Sequence, residues 1–295
     1  MNSPQGQRPH PTLLWGLVLL MTVFWTLNPI AGKVALVGFA PLLLVAVRTS
    51  CAAIFVLLVL GLKRPKKPIA RLDWPALIAL GSLQVGNQVL FVVGLGHTSV
   101  AHVTLIFSTV PVLILCLAAL IGQERITPRK LAGMSICVAG VFLLTLDQGE
   151  GRVATLYGDA LILGAICMFV MFTVFGKQQR ERYGPIVMNA VAYCVGAIAL
   201  QPILWITYRG FSFAGVPGSA WAAMLFMATL SAVVGYLIYY WALVHAPASK
   251  VAAFQYLQPP LASGVGAVFL GEPITSTLGL AGLVIMLGVL MTERG

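Results

Sequence analysis

Ten apolar runs of about 20 residues each follow one another along this chain with only short polar loops between them, and that repetition decides what it can fold into. The runs fall at 12–33, 39–62, 74–96, 99–121, 127–146, 157–176, 186–208, 218–241, 247–271 and 275–292. About 20 residues of helix cross the hydrocarbon of a bilayer. A helix also pairs its own backbone groups, which a lone strand in lipid cannot do. The pattern therefore predicts an all-α integral membrane protein with ten transmembrane helices. Composition agrees: 9% of the 295 residues are charged and 59% are hydrophobic, whereas water-soluble domains carry roughly 25% charged residues. Ten spans take roughly 200 residues, which leaves no room for a separate soluble catalytic domain.

Local signals fit the same layout. Thr127 before Pro128 and Thr275 before Ser276 suit helix N-caps, with Pro128 at the favoured first position. The leader 1–11 carries Arg8 and resembles the start of a signal peptide, but the run after it offers no small-residue cleavage site and reads as a retained first helix. Cys51, Cys116, Cys137, Cys167 and Cys194 all lie inside apolar runs without metal-ligand spacing and read as small packing residues.

The net charge of +10 is an orientation signal rather than a nucleic-acid footprint. With alternating loops, one side holds Arg8, Lys63, Arg64, Lys66, Lys67, Arg71, Arg125, Arg129, Lys130, Lys177, Arg180, Arg182, Lys250 and Arg294, which is 14 of the 18 Lys and Arg. The other side holds Lys33, Arg152 and Arg209. The positive-inside rule then expects both termini in the cytoplasm. Compact loops fit a multi-pass protein of the cell inner membrane.

The chain also repeats itself. A shift of 148 places Glu124, Ile126 and Thr127 on Glu272, Ile274 and Thr275, Pro111 on Pro259, His97 on His245 and Gly140 on Gly288. At a shift of 144, Gly32-Lys33 meets Gly176-Lys177. Each half then contains five helices, and because five is odd the second half enters the membrane upside down. The expected organisation is a cytoplasmic leader 1–11, a five-helix repeat 12–146, an extracytoplasmic linker 147–156, an inverted repeat 157–292 and a cytoplasmic end 293–295. Inverted repeats around a midplane site are characteristic of secondary transporters.

On Trp25 and Lys33, Pro41 and Arg48, His97-Thr98-Ser99-Val100-Ala101 leading to Pro111, Glu124-Arg125-Ile126-Thr127, Gly133 to Gly140, and a second copy at Pro259, Glu272 and Gly288, the sequence resembles EamA-type members of the drug/metabolite transporter superfamily. The resemblance covers nearly the whole chain. It implies a ten-helix basket around a central cavity that exports amino acids, related metabolites or drugs. One departure stands out: Trp25 is followed by Thr26, Leu27, Asn28 and Pro29, where the family often has a small residue. No substrate is carried across that difference.

Polar side chains inside spans are costly unless they face a cavity or a partner, so their spacing proposes a substrate site. Gln84, Asn87 and Gln88 share one face of the third span, and Tyr236, Tyr239 and Tyr240 share one in the eighth. The fourth span adds Thr104, Ser108 and Pro111, the ninth Gln255, Tyr256, Gln258 and Pro259, and the first Trp25, Asn28 and Pro29. The expected substrate-binding set is Trp25, Asn28, Arg48, Gln84, Asn87, Gln88, Ser108, Tyr236, Tyr240, Gln255 and Tyr256, with Pro111 and Pro259 as paired hinges. The alternative is packing, since amides and hydroxyls also join helices by bonds of about 0.6 to 2 kcal/mol, and tyrosines anchor helices at headgroups. Arg48 is the one formal charge well inside a span and has no embedded acid to pair with; it binds a substrate carboxylate or snorkels to helix carbonyls. Lys33 lies nearer the interface and reads as solvated.

No catalytic residues, metal or cofactor are expected. Intramembrane hydrolysis needs a nucleophile with its base or paired aspartates, and His97, His102 and His245 lie at span ends. All eight acids lie in loops or near helix ends, Asp159 being the deepest, so facilitated export or exchange is simpler than proton coupling. The partners are a small solute and the lipid bilayer. Competing readings are a drug or nucleotide-sugar exchanger of the same superfamily and a non-transporting channel or scaffold.

Overall fold

The computed structural model describes residues 9–62, 68–98, 100–107, 109–146, 156–262, 265 and 276–294. Prolines set several of its helix starts. Helices α1 (Pro11–Ala35), α2 (Pro41–Leu62) and α6 (Pro128–Leu146) open on one, and α3 (Trp74–His97) and α5 (Val110–Leu120) carry one at their second residue. There the missing N–H has no intrahelical partner to lose. Lys130 N donates to Thr127 Oγ1 at 3.2 Å, the cap expected ahead of Pro128.

The remaining helices are α4 (Val100–Phe107), α7 (Leu156–Phe175), α8 (Lys177–Thr207), α9 (Gly218–Phe226), α10 (Tyr236–His245), α11 (Ala248–Ala253) and α12 (Ser276–Arg294). Within α8, Gly184 takes φ +81°, so a short first segment ends there and Pro185 begins the long one. A π-helical stretch, Met227–Gly235, joins α9 to α10, and a 3₁₀ turn, Phe254–Leu257, follows α11. Among the described residues, six stretches are long and apolar enough to cross a membrane: Pro11–Ala35, Pro41–Leu62, Arg71–His97, Leu156–Phe175, Lys177–Ile206 and Gly218–His245. The fourth apolar run is divided between α4 and α5.

Close packing follows from small residues. Helix α6 lies on α12, α3 on α7, α2 on α8, and α1 on α9 and the π stretch. A methyl group added at Gly140 would lie 2.7 Å from Ile285 and 3.2 Å from Ala281 O, and one at Gly288 would press on Cys137 and lie 2.6 Å from Gly133 O. The two contacts are the same contact shifted by 148 residues.

Hydrogen bonds gather the helix ends at two poles. At the basic end, Glu124 accepts from Lys130 Nζ at 3.0 Å, from Ser249 N at 3.1 Å and from the Ser249 hydroxyl, while Gln123 Nε2 donates to Val174 O at 3.0 Å. Asp73 holds Arg182 and the Tyr183 hydroxyl. At the opposite end, Lys33 Nζ donates to Thr98 O at 2.8 Å and Thr98 Oγ1 donates to Asp159 Oδ1 at 2.5 Å. Lys33 is thus tied to the α3–α4 junction rather than simply solvated, because it comes off the last turn of α1 beside that carbonyl. Arg180, counted with the loop charges by sequence, is 3% exposed and donates to Thr173 O at 2.5 Å, covering the bare carbonyls at the end of α7.

Gly288→Ala is expected to lower stability by about 1 to 3 kcal/mol through overpacking, a drop of several degrees in thermal unfolding in detergent. Gly16→Ala, inside α1 and meeting nothing within 4 Å, should not lower the midpoint and should raise it slightly through helix propensity.

Candidate functional site

The polar face of α3 comes to lie inside the bundle. Gln84, Asn87 and Gln88 are all buried. Asn87 Nδ2 donates to Ala165 O on α7 at 2.8 Å, and Gln88 Nε2 donates to the Tyr236 hydroxyl at 3.1 Å, a bond between residues 148 apart.

Facing α3 is the π-helical stretch. Three successive carbonyls of this stretch each accept a side-chain hydrogen bond from a neighbouring helix. Trp25 Nε1 donates to Ser231 O at 3.2 Å, the Tyr193 hydroxyl to Ala232 O at 3.2 Å and Asn189 Nδ2 to Val233 O at 3.0 Å. Gly235 lets the indole in, since a methyl group there would lie 2.8 Å from Trp25 Nε1.

These elements enclose a cavity of about 50 Å³ lined by Trp25, Asn28, Pro29, Arg48, Asn87, Gln88, Phe91, Val103, Phe107, Phe169, Ser231, Ala232, Tyr236, Gln255 and Gln258. At roughly 10–15 Å³ per water, it has room for a few waters. Arg48 is 2% exposed, and its Nη1, the Asn28 Oδ1 and both amide atoms of Gln255 have no hydrogen-bonding partner in the protein. Toward the basic end the cavity is floored by rings. Trp25 lies 5.9 Å from Phe169 and 5.1 Å from both Tyr236 and Tyr239, and Phe169 stacks on Tyr239 at 5.5 Å. The Tyr239 hydroxyl pairs with Thr173 Oγ1 at 3.0 Å, and Arg180 holds the Thr173 carbonyl.

Seven of the expected site residues, Trp25, Asn28, Arg48, Asn87, Gln88, Tyr236 and Gln255, line this one cavity. Gln84, Tyr240 and Tyr256 are buried but do not line it, and Ser108 lies outside the described residues. Tyr239 and Tyr240 are fully buried, so they do not serve as headgroup anchors. Pro111 is the second residue of α5, just after the break in the fourth run, so it starts a helix rather than interrupting one. Pro259 follows the 3₁₀ turn at the repeat-related position.

Several lining residues escaped the sequence pattern. Phe91 could have been found, because it follows Asn87 and Gln88 at helical spacing on the same face. Ser231 could not, because a π turn shifts the register by an amount that a 3.6-residue period does not contain. Among the described residues no three His, Cys, Asp or Glu side chains gather as a metal site.

Comparison with known proteins gives a consistent picture. The model of the EamA-like transporter family matches twice, over residues 13–146 and 156–294. An uncharacterized transporter of Archaeoglobus fulgidus is 29% identical over 95% of this chain and 98% of its own length. A probable terminal-alkyne amino-acid exporter of Streptantibioticus cattleyicolor is 26% identical over 92% of each chain. A solved crystal structure shares the fold with a TM-score of 0.77 at 15% identity, covering 97% of this chain and 98% of that one.

Tyr193→Phe removes only the hydroxyl that donates to Ala232 O. Loss of that buried hydrogen bond should cost about 0.5 to 1.5 kcal/mol, read as a fall in the unfolding midpoint.

Proposed function

The chain belongs to the EamA-like transporter family, and on that premise we propose that it is a secondary carrier exporting amino acids or related metabolites across the inner membrane by alternating access. The observation that carries this reading is the cavity, built from α1 to α4 on one side and α7, the π stretch, α10 and the 255–258 segment on the other, with Arg48 buried in its wall. A buried guanidinium with a free donor suits a carboxylate. Unpaired amide atoms of Asn28 and Gln255 suit the polar remainder of a small solute, and Phe91, Phe107 and Phe169 suit its apolar part. A polyphosphate would ask for several cations, and Arg48 alone among the described lining residues is charged. The exporter of S. cattleyicolor bears a name of the same solute class.

We read the architecture as ten spans in two inverted five-helix repeats, 12–146 and 157–292. The reciprocal α6–α12 contact and the Gln88–Tyr236 bond favour this, since elements related by a two-fold axis meet their own counterparts on it. The basic end is the cytoplasmic one by the positive-inside rule. The rings from Trp25 to Tyr239 close the cavity toward that end, and its small volume means that a solute enters or leaves only when one end opens. The proposed site residues are Trp25, Asn28, Arg48, Asn87, Gln88, Tyr236 and Gln255, with Pro111 and Pro259 beside the bending points.

Counterflow into proteoliposomes preloaded with an amino-acid mixture tests the reading. Uptake of particular amino acids by the intact protein, reduced at least tenfold in Asn87→Ala and Gln88→Ala, is the expected outcome. Normal exchange in both variants would remove the site from α3, and no exchange of any amino acid would refute amino acids as the solute and leave the related metabolites. Arg48→Met should abolish exchange without lowering the unfolding midpoint, because an apolar replacement of an unpaired buried charge is neutral or stabilising.

A further inference from the structure

The cavity wall is electrically unbalanced. Arg48 stays protonated at any pH a protein meets, and it is 2% exposed. Among the described residues no carboxylate lines the cavity. Three acids are engaged near helix ends: Asp73 by Arg182 and Tyr183, Glu124 by Lys130 and Ser249, and Asp159 by Thr98. The described wall therefore holds one positive charge in a medium of low polarity, where a charge without a counter-charge is unfavourable.

We propose that the solute is carried as a monoanion, a carboxylate with no compensating ammonium, with Arg48 as its counter-ion, and that the membrane potential itself drives export. The inference rests on the reading of this cavity as the transport site and, within the amino acids and related metabolites proposed for it, selects the related carboxylic acids that lack an ammonium. An anion neutralises Arg48 and leaves the loaded site uncharged. A zwitterion neutralises it and brings in a second cation; the amide oxygens of Asn28 and Gln255 and the ring of Trp25 can solvate that ammonium but cannot cancel it.

The charge balance of the cycle follows. The loaded carrier crosses between its two states with no net charge at the site, and the empty carrier returns with the charge of Arg48. Under an inside-negative potential the return step draws positive charge inward, and each turn exports one negative charge. No coupling ion enters the balance. A potential of 100 mV then supports a solute gradient of about 50-fold. Exchange of one solute for another skips the empty return, so it does not feel the potential.

The test uses three probes that share a phenyl group and differ in head charge: 3-phenylpropionate, phenylalanine and phenethylamine. Binding to the full chain in detergent is followed by quenching of tryptophan fluorescence, Trp25 being in the cavity wall. Flux is followed in proteoliposomes with a potassium–valinomycin potential, at equal pH on both sides and relative to protein-free vesicles. The expected result is at least tenfold tighter binding of 3-phenylpropionate than of phenylalanine, with phenethylamine weakest, and loss of that order in Arg48→Gln. Net efflux of 3-phenylpropionate should rise with inside-negative potential, while its self-exchange stays constant. Exchange of phenylalanine in preference to 3-phenylpropionate would overturn this inference and leave the amino-acid reading standing. Efflux of 3-phenylpropionate indifferent to potential would overturn the coupling. Failure of all three probes to bind or exchange would overturn both the inference and the cavity as the transport site.

Discussion

The structure depends on one requirement: backbone groups surrounded by lipid or apolar side chains must find partners. Regular helix meets it locally along most of the chain. At Met227–Gly235 the helix widens, and Trp25, Asn189 and Tyr193 on two other helices donate further hydrogen bonds to its carbonyls. Those bonds couple the backbone between α9 and α10 to side chains of α1 and α8, and they fix Trp25 where it forms both wall and floor of the cavity. The irregular stretch and the site are therefore one construction. Non-helical or loosened backbone at membrane depth is tolerated where it borders a protein-lined cavity, and this stretch does so through Ser231 and Ala232.

Charge at the two poles is treated in contrasting ways. At the basic end, ionic and hydroxyl contacts tie α6 and the segment before it to α11, and the α3 entrance to the start of α8, while Arg180 covers the carbonyls of α7 beneath the ring floor. At the opposite end the described contacts are fewer and centre on Thr98, which links Lys33 to Asp159. Several charged groups at both ends have partners, and among the described residues the charge facing the cavity is that of Arg48. On the proposed reading, surface charge orients the protein and the buried guanidinium selects what the interior receives.

Much of this was legible in the sequence, because hydrophobic run length and period 3.6 are backbone properties. The helix start at Pro128, the buried amide face of α3 and the burial of Arg48 follow from spacing and from the cost of polarity in lipid. The break between Phe107 and Val110 and the π turn did not, since a local change of hydrogen-bond register leaves apolarity unaltered. Gln84, Tyr240 and Tyr256 were grouped with Asn87, Gln88 and Tyr236 by periodicity; all six are buried, but the first three do not line the cavity, a distinction that spacing alone does not carry. Arg180 was hidden by its position two residues from Arg182, which is half exposed and ion-paired, so that adjacency in sequence masked opposite environments.

The ring floor has a consequence for the balance between the two proposed access states. Under the duplicated architecture proposed here, Tyr239 and Tyr240 correspond, at a shift of 148, to Phe91 and Val92. The Thr173–Tyr239 hydroxyl bond that secures the floor thus has no chemical twin in the first half. On that reading one half carries phenols where the other carries hydrocarbon. A backbone with near-symmetry then has two unequal closures, one secured by a hydroxyl bond within a floor of rings and one held through Lys33, Thr98 and Asp159. Two closures that break at different cost leave the two access states unequally populated, while the potential and the solute gradient set the direction of net flux.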